Sequence, residues 1–250
     1  IGTSALAAST TGCLNIAIGE LALGAGVTTG SNNIAMGLTS MDALTSGADN
    51  VGIGNDTLGA STTGCRNVAI GKNALGATDV TGINNIALGT TSMDALTTGI
   101  CNIAIGTNAL GTALTACDNV AIGELAMGGA TATGCLNVYI GKRSGHTTTT
   151  GFRNVGIGES TLNQITIGCD NIAMGYYTHA QQTVTGHYNV GIGMSAHYAL
   201  TCGLDNVAIG HCALGLSRSS CNNVAIGKCA MSACVSGINN IALGTNAMDA

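Results

Sequence analysis

Proline and tryptophan are absent from the 250 residues, phenylalanine occurs once, and charged residues make up only 8%. Each scarcity removes a class of molecule. A mixed globular core draws on bulky aromatics, so a chain with one Phe and five Tyr must bury small and aliphatic groups in a repetitive arrangement instead. The net charge of -5, with no run of one sign, leaves no electrostatic footprint for nucleic acid or anionic lipid. No apolar run approaches the roughly 20 residues of a membrane span, so no membrane insertion is expected of this segment. The motifs GxSxG, HExxH, GxxxxGK[ST] and GGxGxD do not occur either. The chain therefore reads as non-enzymatic, with no cofactor and no metal.

What is abundant is glycine, 39 residues of it, and it recurs on a schedule. CLNIAIG at 13–19 returns as CRNVAIG at 65–71, CDNVAIG at 117–123, CDNIAMG at 169–175 and CNNVAIG at 221–227, each Cys 52 residues after the last. Its inner pentapeptide (Asn, Val/Ile, a mostly small residue, Ile/Leu/Met, Gly) has fourteen copies, starting at Asn15, Asn33, Asn50, Asn67, Asn85, Asn102, Asn119, Asn137, Asn154, Asn171, Asn189, Asn206, Asn223 and Asn240. The steps run 18, 17, 17 and sum to 52.

Apolar residues two apart predict a short strand with its aliphatic face buried. The Gly that closes each copy, from Gly19 to Gly244, suits a bend where φ must be positive. Eight residues after the Asn comes Leu or Met in eleven copies, which predicts a second, shorter buried strand. Three residues before the Asn comes Gly in twelve copies, usually after Thr or Ser, marking the return turn.

No copy has enough apolar surface to be stable alone, so the copies must stack. The expected fold is all-β: a parallel β-solenoid with 17–18 residues per rung and a three-rung superperiod of 52. It forms a single repeat domain over residues 1–250, opening and closing in mid-repeat as a segment of a longer array. The Asn column is expected to hydrogen-bond as a ladder along the stack. In a competing geometry, 52 residues make one turn of a large triangle and bring Cys13 within bonding distance of Cys65. Its perimeter, about 170 Å at roughly 3.3 Å per residue, would enclose more space than its aliphatic positions can fill.

The motif NVAIG, followed by a small-then-Leu pair and a Thr-Gly turn, resembles the head repeats of YadA-like trimeric autotransporter adhesins. It is similar also to the NVAIG arrays of bacteriophage tail-fibre proteins. The likeness spans the chain, although a 17–18-residue repeat is longer than the usual adhesin head unit and such heads generally lack the eleven Cys found here. The resemblance implies a left-handed β-roll in a homotrimer. It further implies an extracellular, cell-surface or virion fibre, whose shaft or head displays a surface for attachment to a host-cell or other surface receptor. A self-assembling extracellular surface filament, joined through open rung edges, is the alternative. An ice-binding solenoid is a third reading, since Thr stands four residues before the Asn in nine copies; turn chemistry accounts for that column as well.

Two groups of residues are candidates for interaction. The aromatics and most histidines crowd one region: Tyr139, Phe152, Tyr176, Tyr177, His179, His187, Tyr188, His197 and Tyr198. They read as a surface patch for a receptor or a neighbouring subunit, or as repeat decay with local repacking. His179 and His197 stand one rung apart in the Leu/Met column and should be close. Among the cysteines, Cys117 with Cys135 and Cys212 with Cys229 are one rung apart, within disulfide reach. They read either as disulfide partners or as small, partly buried residues.

Overall fold

The computed structural model describes residues 1–76, 78–180 and 184–249. They form two compact units, Ile1–Thr133 and Gly134–Ala250. The first holds β1 (Ile16–Ile18), β2 (Ile34–Met36), β3 (Val51–Ile53), β4 (Val68–Ile70), β5 (Ile86–Leu88), β6 (Ile103–Ile105) and β7 (Val120–Ile122). The second holds β8 (Val138–Ile140), β9 (Val155–Ile157), β10 (Ile172–Met174), β11 (Val190–Ile192), β12 (Val207–Ile209), β13 (Val224–Ile226) and β14 (Ile241–Leu243).

Within each unit every strand pairs in parallel with the next one along the chain, residue for equivalent residue. Ile16 lies opposite Ile34, Ala17 opposite Ala35 and Ile18 opposite Met36, and Val207 lies opposite Val224 in the same way. One pentapeptide is therefore one coil, and the fold is an all-β parallel solenoid with 17 or 18 residues per turn. The large triangle is ruled out. Cys13 and Cys65 are both free thiols, and the Cys13 N–H donates instead to Ser31 Oγ on the adjacent coil at 3.1 Å.

The Asn column forms the expected ladder. Asn102 donates through Nδ2 to Asn85 Oδ1 on one side (3.0 Å) and to the Ala116 carbonyl on the other (2.7 Å). Its own Oδ1 accepts from the Asn119 backbone N–H at 3.1 Å and from Asn119 Nδ2 at 3.2 Å. These amides are fully buried, and the pattern satisfies both side-chain donors and the acceptor of Asn85 and of Asn102.

Two expectations are corrected. The aliphatic side of the strand does not face the core. The middle residue does: Ala35 is 0% exposed while its neighbour Met36 is 38% exposed, and Ile16 and Ile18 flank buried Ala17 at 49% and 38%. The reason is width. A Cβ added to Gly52, at the same middle position, would lie 2.9 Å from Ser40 Oγ and 3.0 Å from Met41 Cε, so the interior has room for Ala or Gly there and little more.

The second expected strand is not a strand. Leu23, Met41 and Leu58 are buried, but they sit in turns with φ of 52°, 53° and 50°. Leu21 and Leu14 are left-handed too, at 58° and 59°. Each such residue costs roughly 1–2 kcal/mol. At Leu23 and Leu58 burial contributes about 1.5–3 kcal/mol in return, and the turn keeps its backbone bonds between coils, as in Leu23 N–H to the Ser40 carbonyl at 3.0 Å.

A further interior column completes the core. Leu44, Ser61, Leu96 and Ala113 occupy it in 17-residue coils, and Thr28, Val80 and Ala132 in 18-residue coils; all are fully buried. In the 18-residue coils the stretch before this column is two residues longer, since Thr28 follows Leu23 by five positions and Leu44 follows Met41 by three, and the stretch after it is one shorter, since Asn33 follows Thr28 by five and Asn50 follows Leu44 by six. The 52-residue superperiod is thus a loop that lengthens every third coil.

Candidate functional site

In the second unit the candidate aromatics and histidines divide into an interior set and two surface groups. Tyr139, His179 and His197 are fully buried, so they cannot belong to a surface patch. Tyr139 occupies the Ala position of β8, and Gly145 replaces the Leu or Met of the same coil. A Cβ on Gly145 would meet the Tyr139 ring at 2.5 Å, so the two substitutions share one interior volume. Burial pushes the Tyr139 phenol well above its ordinary value, and Thr148 Oγ1 lies 3.1 Å from its hydroxyl.

His179 and His197 stack with ring centroids 4.5 Å apart and an interplanar angle of 18°, with His179 Nε2 and His197 Nδ1 2.5 Å apart. Their remaining nitrogens, His179 Nδ1 and His197 Nε2, are buried without a hydrogen-bond partner. Burial lowers His179 to about 3, and burial together with its neighbour lowers His197 well below its ordinary value. The pair is therefore neutral at physiological pH. Gly191 makes room for it, since a Cβ there would lie 3.3 Å from His179 Nε2.

The first surface group runs along the two positions before the Asn. The Arg153 guanidinium lies 4.4 Å from the Phe152 ring centroid and grips Asp170 through two bonds of 2.7 and 2.9 Å. That hydrogen bond holds the Asp170 carboxyl below its usual range. On the next coil His187 and Tyr188 follow, with centroids 6.2 Å apart. His187 is half-buried and accepts the Cys169 N–H through Nδ1 at 3.0 Å, while Tyr188 is 58% exposed.

The second surface group begins with exposed Tyr176, edge-on to Tyr177 at 4.5 Å; Tyr177 in turn lies 6.4 Å from Tyr198. Tyr198 then lines a cleft of about 330 Å³ with Ser195, Cys212, Gly215, Leu216, Cys229 and Ser232. The sequence patch is thus two surface clusters plus a buried remnant. Cleft residues Ser195, Gly215, Leu216 and Ser232 escaped the sequence reading. The signal available for them was the turn column that carries Tyr177, Ser195, Cys212 and Cys229 on successive coils.

Cys212 and Cys229 are free, half-buried thiols, so the disulfide expected of them is not formed; Cys117 is a disulfide-bonded cysteine of the first unit and Cys135 one of the second. Among the described residues no group of three or more His, Cys, Asp or Glu side chains could hold a metal ion. Compared with protein-family models, with curated proteins and with solved structures, the chain finds no match.

Proposed function

We propose that the chain is a shaft or head segment of a non-enzymatic, homotrimeric fibre, displayed on a cell surface or virion, whose outer face carries an attachment surface. The observation that supports this reading is the apolar face of the strands. On every coil a Val or Ile and an Ile, Leu or Met point away from the core and are half-buried or exposed, among them Ile18, Met36, Ile53, Ile70 and Ile105 in the first unit and Met174, Ile192 and Ile226 in the second. An uncharged aliphatic strip on successive coils marks an interaction surface.

The pitch argues for the occupant. A partner that meets every coil at about 4.8 Å intervals must carry the same spacing, and a copy of this chain does. Closed symmetry then makes a small ring of identical faces, with a trimer as the arrangement expected from the NVAIG repeat. The Tyr176–Tyr177–Tyr198 cluster and the Phe152–Arg153–Tyr188 cluster lie on the surface of the second unit and supply aromatic anchors for a receptor.

Native mass measurement tests the assembly. A discrete species of three chains is expected, and Ile70→Lys with Ile105→Lys should release folded monomers with unchanged circular dichroism. A wild-type monomer would overturn the reading. An open polymer would replace it with the filament.

A further inference from the structure

We propose that Cys212 and Cys229 form a dithiol exchange site that takes a low-molecular-weight disulfide into the cleft beside Tyr198 and closes into a coil-to-coil disulfide, with His211 as the proton acceptor.

The two cysteines occupy the same turn position of consecutive coils, 17 residues apart. The backbone aligns them: the Cys229 N–H donates to the His211 carbonyl at 2.8 Å, and the Cys212 N–H to the Met194 carbonyl at 3.0 Å. Adjacent strands lie about 4.8 Å apart, inside the roughly 4.4–6.8 Å Cα separation a disulfide needs. The side chains already interact: burial, and then repulsion between the two sulfurs when ionised and a hydrogen bond with Cys229, push the Cys212 thiol up. Cys212 therefore rests protonated and needs a base to react.

His211 is placed to be that base, with Nε2 3.5 Å from Cys212 Sγ. The wall of the cleft is apolar where Leu216 and the Tyr198 ring line it and hydroxylic at Ser195 and Ser232. A volume of about 330 Å³ accommodates one arm of a small aliphatic disulfide.

The chemistry balances as two exchanges. The Cys212 proton passes to His211 Nε2, and the thiolate attacks one sulfur of R–S–S–R. The S–S bond of the reagent breaks, a Cys212–S–S–R mixed disulfide forms, and R–S⁻ leaves and takes up the proton. Cys229 then gives up its proton and its thiolate attacks Cys212 Sγ, forming the Cys212–Cys229 bond and expelling the second R–S⁻, which takes up that proton. The two cysteines lose two electrons, and the reagent disulfide gains them as two thiols. Cys13, Cys101 and Cys202 are exposed free thiols that serve as internal controls, expected to stop at the mixed disulfide.

The test treats the intact chain with oxidised glutathione at pH 7, blocks remaining thiols by alkylation and maps each cysteine by mass spectrometry. The expected result is a Cys212–Cys229 cross-link lighter by two hydrogens, with glutathione retained at Cys13, Cys101 and Cys202. Cys229→Ser should trap glutathione on Cys212. His211→Asn should slow cross-linking about 10-fold or more near neutrality and make its rate climb more steeply with pH. Wild-type protein that keeps glutathione on Cys212 or Cys229, or leaves both alkylatable while the exposed thiols react, overturns the proposal. So does a His211→Asn rate and pH profile equal to wild type. The wild-type map decides even where a variant does not fold.

Discussion

Acid should weaken the second unit through one buried pair. His179 and His197 stand where the other coils carry mostly Leu or Met, and burial holds His179 at about 3 and His197 well below its ordinary value. An unfolded His titrates near 6.5, so below that pH the unfolded chain binds more protons than the folded one. Stability is then fully present above about pH 6.5 and is lost as pH falls toward 3. At pH 5 the loss is about 1.4 kcal/mol per pH unit over 1.5 units, roughly 2 kcal/mol for each imidazole and 4 for the pair. Against a typical stability of about 5–15 kcal/mol that is a large fraction. The assay is urea unfolding followed by circular dichroism at pH 7.5 and pH 5, with hydrogen exchange over residues 171–200 to localise the change. The double variant His179→Leu, His197→Met restores the residue types of the column and should remove most of the pH dependence. It should also be the more stable protein at pH 7.5, because it eliminates two buried ring nitrogens that lack partners. Equal loss in the wild type and the double variant between pH 7.5 and 5, or a wild type that gains stability in acid, would mean that the buried pair does not cause the acid sensitivity.

Three further substitutions probe the packing rules. Gly145→Leu alone should clash with the Tyr139 ring and Tyr139→Ala alone should leave a cavity costing about 3–5 kcal/mol, whereas the double variant should recover at least about 2 kcal/mol in a thermal-unfolding cycle. Asn102→Ala should cost about 3–5 kcal/mol by urea denaturation, since it strips partners from the Ala116 carbonyl, Asn85 Oδ1 and the Asn119 N–H at once. Gly106→Ala places a Cβ 2.6 Å from the Gly123 carbonyl oxygen at φ 134° and should lower the melting temperature by several degrees. Gly59→Ala, with its nearest non-neighbouring atom at 3.4 Å, should change it by little more than a degree.

The coil and its stacking were legible because they depend on recurrence. A pentapeptide that returns every 17 or 18 residues leaves parallel, in-register stacking as the arrangement that buries its apolar residues, and the Asn ladder follows from identical amides meeting along it. The direction of the strand faces was not legible: Val and Ile flanking Ala read as a core pattern, yet a coil this narrow is filled by Asn, Leu/Met and the Leu44 column. The turn state of Leu23 and Met41 was hidden for a related reason, since branched and bulky residues argue against φ near +50° and only coil-to-coil hydrogen bonds and burial override that preference. Of the candidate site, the proximity of His179 to His197 and of Cys212 to Cys229 came from counting coils.

The amino-acid sequence by itself determined the repeat, the coil length and the parallel stacking, because all three are properties of periodicity. Only the tertiary structure decided which side of each strand is inside, which aromatics reach solvent and which vanish into the core beside a compensating Gly, and that Cys212, Cys229, His211 and Tyr198 share one place. Those outcomes depend on interior width and on side chains from different coils competing for the same volume, and no single repeat contains that information.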